Sequence, residues 1–241
     1  MEKNTFWVSS TGGLAIGLGI VIAGICLSIA LYKARAEDRY VTVRGLAERE
    51  VDADLAIWPI TFKDAGNDLV ALQKVIETKR EVITRFLVES GFNPTEISHA
   101  APRINDTQAE REFSGRGELR FRYLAQTTVT LRSGNIALLK QTMEKSGSLV
   151  GKGIALGSEN WENRTVFLFT GLNAIKPAMI EEATVNAREA AEKFAKDSRS
   201  KAGQIRNASQ GLFTIEDRDM NSPDRKKVRV VTSVQYYLVD E

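Results

Sequence analysis

The chain has 241 residues, 43% of them hydrophobic and 27% charged, which is the composition of a globular protein that can bury a sizeable core. Its formal net charge of +2 is too small to indicate nucleic-acid binding, so we expect no nucleic-acid partner. The single cysteine, Cys26, excludes an intramolecular disulfide and leaves the redox compartment undetermined.

The first segment with a clear pattern is residues 12–32, which contain no charged residue. A helix of about 20 residues spans the ~30 Å hydrocarbon core of a bilayer, and Trp7 and Tyr32 suit the two aromatic interface belts. We therefore predict one transmembrane helix over residues 12–32. A cleaved signal peptide is the alternative, because Ala34-Arg35-Ala36 has the small-x-small form of a cleavage site. The predicted order is tail, helix, juxtamembrane linker and soluble domain, at residues 1–11, 12–32, 33–39 and 40–241.

The predicted helix carries small residues that are candidates for close contact with another helix, although glycine is also simply common in membrane helices. These small residues are Gly13, Gly17, Gly19 and Ala23. Three cations, Lys33, Arg35 and Arg39, follow the segment, whereas Lys3 is the only cationic side chain before it. By the positive-inside rule, this difference favours a soluble domain in the cytoplasm.

Alternating and helical apolar patterns predict a first lobe at about residues 40–150. Pro59 cannot donate a ladder hydrogen bond, so its strand should lie at an edge or carry a bulge there. Asn67 is the predicted N-cap of the first helix, and Gly91 should end that helix. Residues 105–118 are polar and should form a mobile loop. The predicted strands are residues 40–48, 54–62, 97–104 and 119–132, and the predicted helices are residues 67–90 and 135–145.

The strand predicted over residues 119–132 has the clearest alternation of the chain, with one apolar and one polar face. Arginines on and before the polar face could contact an acidic patch, lipid headgroups or another subunit, and a plain solvated face is the alternative. These candidates are Arg116, Arg120, Arg122 and Arg132. A strand this rich in β-formers would also invite pairing with another chain if it lay at a sheet edge.

A second lobe is predicted at about residues 151–241. Asn173 should cap a long alanine-rich helix that ends near Ala202, and Gly203 should stop it. Strands are predicted over residues 164–170, 209–215 and 227–239. Together the patterns indicate an α+β fold, with two βαβ-rich lobes, antiparallel sheet and helices on one face.

These landmarks, in this order, resemble the SIMPL-domain family over about residues 40–240. Val41-Thr42-Val43-Arg44-Gly45 is similar to the V-x-V-x-G of its first strand, and Asp54-Leu55-Ala56 to the D-x-A that begins its second strand. The turn after the first helix, the long central strand and the last helix are also similar, at residues 91–97, 123–129 and up to Ala202-Gly203. The pattern departs after the last helix, where Arg206 or a neighbour replaces a usual second glycine.

The resemblance implies a bacterial envelope protein that is exported or anchored. Some members of the family are associated with defence against oxidative stress, and some form large rings. We therefore expect a single-pass inner-membrane protein with a periplasmic domain, whose partners are the bilayer and further copies of itself. A cytoplasmic orientation and a ligand-binding or partner-binding module without large assembly are the alternatives. The identity of any small-molecule ligand is left open.

No residue pattern indicates catalysis. His99 is the only histidine and has no cysteine partner for zinc and no evident nucleophile partner. The paired acids Asp52 and Asp54, and likewise Asp217 and Asp219, could serve hydrolysis at the right separation, but turn positions favour structural roles. We expect no catalytic residue, no metal and no cofactor.

Overall fold

The computed structural model describes residues 3–36, 39–109, 120–157 and 163–240, with the side chains of the first helix described at residue 13 and from 16 to 31. The helices are α1 Lys3–Ala36, α2 Leu69–Glu89, α3 Ile136–Lys145, α4 Gly147–Gly151 and α5 Leu172–Asp197. The strands are β1 Tyr40–Asp52, β2 Leu55–Gly66, β3 Ile97–His99, β4 Arg103–Asp106, β5 Tyr123–Ser133, β6 Val166–Leu168, β7 Ser200–Gln210, β8 Thr214–Asp217 and β9 Arg225–Asp240.

The predicted transmembrane segment, residues 12–32, is helical and lies inside α1. Among the residues that the structure describes, no helix combines the length and the apolar character that a membrane crossing requires.

The chain folds into two compact units, each built from separate stretches of sequence. One unit contains residues 1–48, 176–213 and 229–241, and the other contains residues 49–175 and 214–228. The strands form two sheets. Antiparallel pairs are β2 with β5, β2 with β6, β3 with β5, β4 with β5, and β7 with β9. The fold is therefore α+β with antiparallel sheets, as the sequence predicts.

The five-stranded sheet has the order β3-β5-β2-β6, with β4 also pairing with β5. β2 and β5 pair without a register shift from Ala56↔Ser133 to Gly66↔Tyr123. Trp58, Ile60 and Phe62, which alternate along β2, are all buried. They share one core with α2, whose buried side chains are Leu72, Ile76, Ile83, Phe86 and Leu87.

The four-stranded sheet has the order β1-β9-β7, with β8 also pairing with β9. The strand predicted over residues 227–239 is confirmed as β9, whose alternating residues Val228, Val230, Val234 and Tyr236 are each at most 1% exposed. One core cluster of this region contains Val43 of β1, Ala187 and Ala191 of α5, and Val234 and Tyr236 of β9. The buried alanines of α5 are Ala183, Ala187, Ala191 and Ala195.

Two predictions about edges and bulges can be compared with the pairing. β2 lies between β5 and β6, and its register with β5 is regular through Pro59↔Thr130, so the predicted edge or bulge at Pro59 is wrong. The ladder tolerates this proline because β6 pairs with β2 only at residues 55–57, and Pro59 lies beyond the end of that neighbour. β5 is not an edge strand either, because β2 pairs on one side and β3 and β4 pair on the other. The hypothesis that β5 recruits another chain through a free edge is therefore wrong.

Several element boundaries differ from the predictions for local reasons. Asp68, not Asn67, caps α2 by accepting from the Ala71 N–H at 2.9 Å, and Asn67 instead accepts from the Arg122 N–H at 3.0 Å. The strand predicted over residues 97–104 is split into β3 and β4. Leu69 and Val75, predicted for the buried stripe of α2, are 43% and 41% exposed.

The largest error concerns the end of α5. The helix stops at Asp197, because Arg199 adopts a left-handed conformation with φ 54°, and Ser198 donates to the Ala195 carbonyl at 3.1 Å. Ala202 and Gly203, predicted as the end of the helix, lie in β7 instead. Asn173, predicted as its cap, lies inside the helix. An arginine at a left-handed position gives no sequence signal of the kind that glycine gives.

Candidate functional site

A concavity of about 790 Å³ lies on the sheet that contains β2, β4 and β5. Its charged and polar lining residues are Lys63, Asp64, Arg103, Asn105 and Gln126. Lys63 and Arg103 both pair in register with Gln126, from β2 and β4 respectively, so two cations flank one amide. The concavity therefore combines positive charge with hydrogen-bonding groups, which suits a small anionic or polar ligand.

The negative charge of Asp64, within the concavity, is compensated by a neighbouring cation. Its carboxylate forms an ion pair with Lys79 of α2, and it also accepts from the Ala65 N–H at 3.0 Å. Hydrophobic side chains complete the lining, among them Ile104 and Leu124, which are 38% and 42% exposed.

His99 lies in β3 beside a groove lined by residues of α2, among them Arg80 and Arg85. Partial burial and, to a smaller degree, the Arg80 charge lower the pKa of the His99 imidazole. The groove places two guanidinium groups near the imidazole. Burial and the Arg80 charge both favour the neutral form of the histidine.

The predicted acidic pair Asp52 and Asp54 has two separate structural roles. Asp54 accepts from the Thr170 N–H at 2.7 Å and from the Gly171 N–H at 2.8 Å, directly before the first residue of α5. Asp52 instead pairs with the Arg225 guanidinium at 2.7 Å. Asp54 therefore satisfies backbone donors at the start of α5, as a capping carboxylate does.

The second predicted acidic pair, Asp217 and Asp219, is also divided between different partners. Asp217 forms an ion pair with Lys226, which is buried, whereas Asp219 pairs with Arg218 Nε at 2.8 Å. The Arg218 hydrogen bond lowers the pKa of the Asp219 carboxyl. No group of three or more metal-ligating side chains occurs in the described part of the chain.

The structure does not bring the candidate arginines of the β5 region together. Arg122 lies just before β5 and Arg132 near its other end, so ten residues at ~3.3 Å each separate them by roughly 33 Å. Arg122 Nη2 forms an ion pair with Asp106 at 2.9 Å, which lowers the pKa of that carboxyl. Arg120 lies over the Phe121 ring at 5.5 Å, and Arg116 is outside the described residues.

The candidate packing residues of α1 are open to approach. A Cβ atom built at Gly13, Gly17 or Gly19 would have no heavy atom within 4 Å, and Ala23 is exposed. This arrangement leaves room for a neighbouring helix at each position.

Sequence reasoning missed the importance of Gly45, the last residue of the V-x-V-x-G pattern. A Cβ atom there would lie 1.8 Å from the Ala183 carbonyl oxygen and 2.5 Å from the Ala187 nitrogen. Gly45 therefore lets β1 approach the backbone of α5 directly. The alanine stripe of α5 was the available signal, because it indicates close packing without identifying the opposing residue.

Comparison with known proteins gives one family. The model of the SIMPL family, described as a protein of unknown function (DUF541), matches residues 41–236 of the chain. No curated protein matches the sequence.

Proposed function

This chain belongs to the SIMPL family, and from that premise we propose that it is a membrane-anchored, non-enzymatic protein of the bacterial envelope that assembles into a symmetric ring or cage. A contribution of this assembly to stress defence is part of the proposal and rests on the family resemblance. The observation that carries the proposal is the exposure of an uncharged apolar stretch of α1.

All sixteen residues of α1 from Ile16 to Leu31 are exposed and none is charged. Ile16, Leu18 and Ile20 are 68%, 65% and 67% exposed, so most of the surface of each side chain is open. A contiguous apolar surface of this length is unfavourable in water by about 25 cal/mol per Å². Insertion of α1 into a bilayer removes that surface from water without requiring another protein.

The environment of the acids supports a non-enzymatic role. Asp54 satisfies backbone N–H groups before α5, and Asp217 is engaged by Lys226. His99 lies on a different strand from these acids and faces a groove that contains arginines. This arrangement differs from a triad, in which a base contacts both a nucleophile and an orienting acid.

Two sheet edges support assembly. β1 and β7 are the terminal strands of the order β1-β9-β7, so the described strands leave one side of each unpaired. In β7 every residue from 204 to 210 is exposed. An exposed edge can add a strand from a second chain through main-chain hydrogen bonds. Further copies of this chain are the proposed partners.

We place the domain in the periplasm on the strength of the family resemblance. The excess of cations after residues 12–32, namely Lys33, Arg35 and Arg39, favours the cytoplasmic alternative. Protease protection in intact spheroplasts separates the two orientations, because only an external domain is digested before lysis.

The assembly is tested by imaging and native mass measurement of the full-length protein extracted in detergent. The proposal predicts a closed particle with several copies whose anchors lie on the same side. A monodisperse monomer at micromolar concentration would contradict assembly and leave the anchor proposal intact.

The alternative function is a ligand-binding module without large assembly, and the 790 Å³ concavity around Lys63 and Arg103 favours it. A thermal-shift screen of small anions on the full-length protein tests this alternative, because a ligand of the folded state raises apparent stability. The binding module predicts a shift that Lys63→Ala with Arg103→Ala removes. The assembly function predicts that the same double variant keeps the native mass of the particle.

A further inference from the structure

The proposed anchor, α1, leads into the start of β1, in the unit made of residues 1–48, 176–213 and 229–241. Arg39 follows α1 by three residues, which span at most ~11 Å. The Arg39 carbonyl accepts from the Leu238 N–H at 2.8 Å, and its guanidinium pairs with Asp240 at 2.7 Å. Asp240 is in turn opposite Ser200, the first residue of β7. The start of β1, the end of β9 and the start of β7 therefore lie together, close to the end of α1.

A concavity of about 620 Å³ lies at this end, between the last turn of α5 and the start of β7. Three exposed cations line it: Lys196, Arg199 and Lys201. Its acidic lining residue, Glu192, accepts from Arg188 Nε at 3.2 Å, so part of its charge is already compensated. These side chains give the concavity a positive charge that a bound anion would complement.

Exposed apolar and aromatic side chains lie near these cations. Tyr40 is 44% exposed and Val239, which pairs with Lys201, is 53% exposed. The Arg206 guanidinium carbon lies 4.1 Å from the centre of the Tyr40 ring and 5.9 Å from that of Tyr237. Tyrosine with neighbouring arginine is typical of the membrane–water interface, where the ring meets acyl chains and the cation meets phosphate.

We propose that this end of the unit contacts the bilayer and that Lys196, Arg199 and Lys201 bind the headgroup of an anionic phospholipid. The proposal rests on the proposed anchor, because α1 holds these cations near the lipid surface. A basic residue near an anionic membrane contributes about 1 kcal/mol, and the attraction decays within a Debye length of ~10 Å. The site would therefore orient the domain on the membrane instead of supplying the main membrane affinity.

The test uses the full-length protein in nanodiscs of phosphatidylcholine, with or without about 30% phosphatidylglycerol. The proposal predicts a higher melting temperature in the anionic discs and a smaller difference at high salt, because salt screens the contact. The triple variant Lys196→Glu, Arg199→Glu, Lys201→Glu should lose the difference between the two discs. The matched control Lys74→Glu, Lys145→Glu, Lys152→Glu makes the same charge change at exposed positions elsewhere and should keep it.

Soluble glycerol phosphate, added to the phosphatidylcholine discs, separates a lipid site from a site for free phosphate. A rise in melting temperature with glycerol phosphate equal to that in anionic discs would contradict the lipid assignment. Equal melting temperatures of the unmodified protein in both discs would overturn the proposal, as would a difference that the triple variant keeps. Failure of the anchor is a separate result, because the protein would then not incorporate into either disc.

Discussion

Gly45 occupies a position at which the backbone of β1 lies against the backbone of α5. We expect Gly45→Ala to destabilise the protein by about 1–3 kcal/mol, because the new Cβ atom overlaps the Ala183 carbonyl oxygen and α5 or β1 must shift. Chemical denaturation of the full-length protein in detergent measures the change. The matched control is Gly151→Ala, where a Cβ atom meets nothing within 4 Å and the change should stay within about 0.5 kcal/mol. Equal stability of the two variants would contradict the close approach.

Asp54 has a capping role that its sequence position does not reveal. Replacement by alanine removes the acceptor for the Thr170 and Gly171 N–H groups, so we expect Asp54→Ala to cost about 1–2 kcal/mol of unfolding free energy. Asp52→Ala is the control, because the Asp52 side chain is 77% exposed and its ion pair should contribute less than about 1 kcal/mol. An Asp54 variant that retained full stability would contradict the capping role and favour a chemical role for this carboxylate.

The pKa of His99 is lowered, chiefly by burial and secondly by the Arg80 charge. The folded protein therefore binds a proton less readily at this site than the unfolded chain, so His99 lowers stability as the pH falls from the unfolded pKa through the folded one. Because the chain has one histidine, its imidazole NMR signals can be followed without assignment. We expect a titration midpoint below that of a free histidine, and an upward but incomplete shift in Arg80→Ala. An unchanged midpoint in the variant would exclude the Arg80 contribution.

At the scale of elements, regular periodicity predicted most of the secondary structure. The alternation of β9 and the inner residues of β2 is visible because each has one buried face. The division of α5 from β7 was not visible, because Ala202 and Gly203 continue an alanine-rich pattern while the actual break is at Arg199. The pairing of β5 on both sides was also not predictable, since strand order depends on tertiary contacts that a single sequence does not encode locally.

The dependence of strand order on tertiary contacts also explains which candidate sites were missed. The separation of Arg122 from Arg132 follows from the length of β5, whereas the concavity around Lys63 and Arg103 needs three strands in a defined register. The cations near the end of α1 come from α5, the following turn and β7, and a pattern search along the chain treats them as a solvated surface.

β7 gives the element-scale prediction. Its pairing with β9 shifts register between Ala202 and Asn207 and is regular from Asn207 to Gln210, so the regular part offers the better edge for a second chain. We expect Asn207→Lys with Ser209→Lys to reduce the mass of the detergent-extracted particle, because edge lysines oppose strand addition. The control is Gln141→Lys with Ser148→Lys, which adds the same charge at exposed helical positions. A particle of unchanged mass in the β7 variant would exclude this edge from the interface.

At the scale of the whole molecule, apolar side chains of α1 are exposed to solvent, whereas those in the cores of the two units are buried. The cores of the units contain buried side chains such as Phe62 and Tyr236, which are 0% and 1% exposed. The stretch from Ile16 to Leu31 is exposed, and the proposed insertion into a bilayer would place it in apolar surroundings. The proposed anchoring, the proposed lipid contact and assembly on a surface all depend on that insertion.

The most direct test of this dependence is extraction of the full-length protein from membranes with alkaline carbonate, followed by flotation in a density gradient. Our account predicts that the protein stays with the lipid and floats, and that Ile20→Lys with Ile22→Lys releases it, because charge within a membrane helix is costly. Recovery of the uncleaved, unmodified protein in the lipid-free fraction would contradict the account.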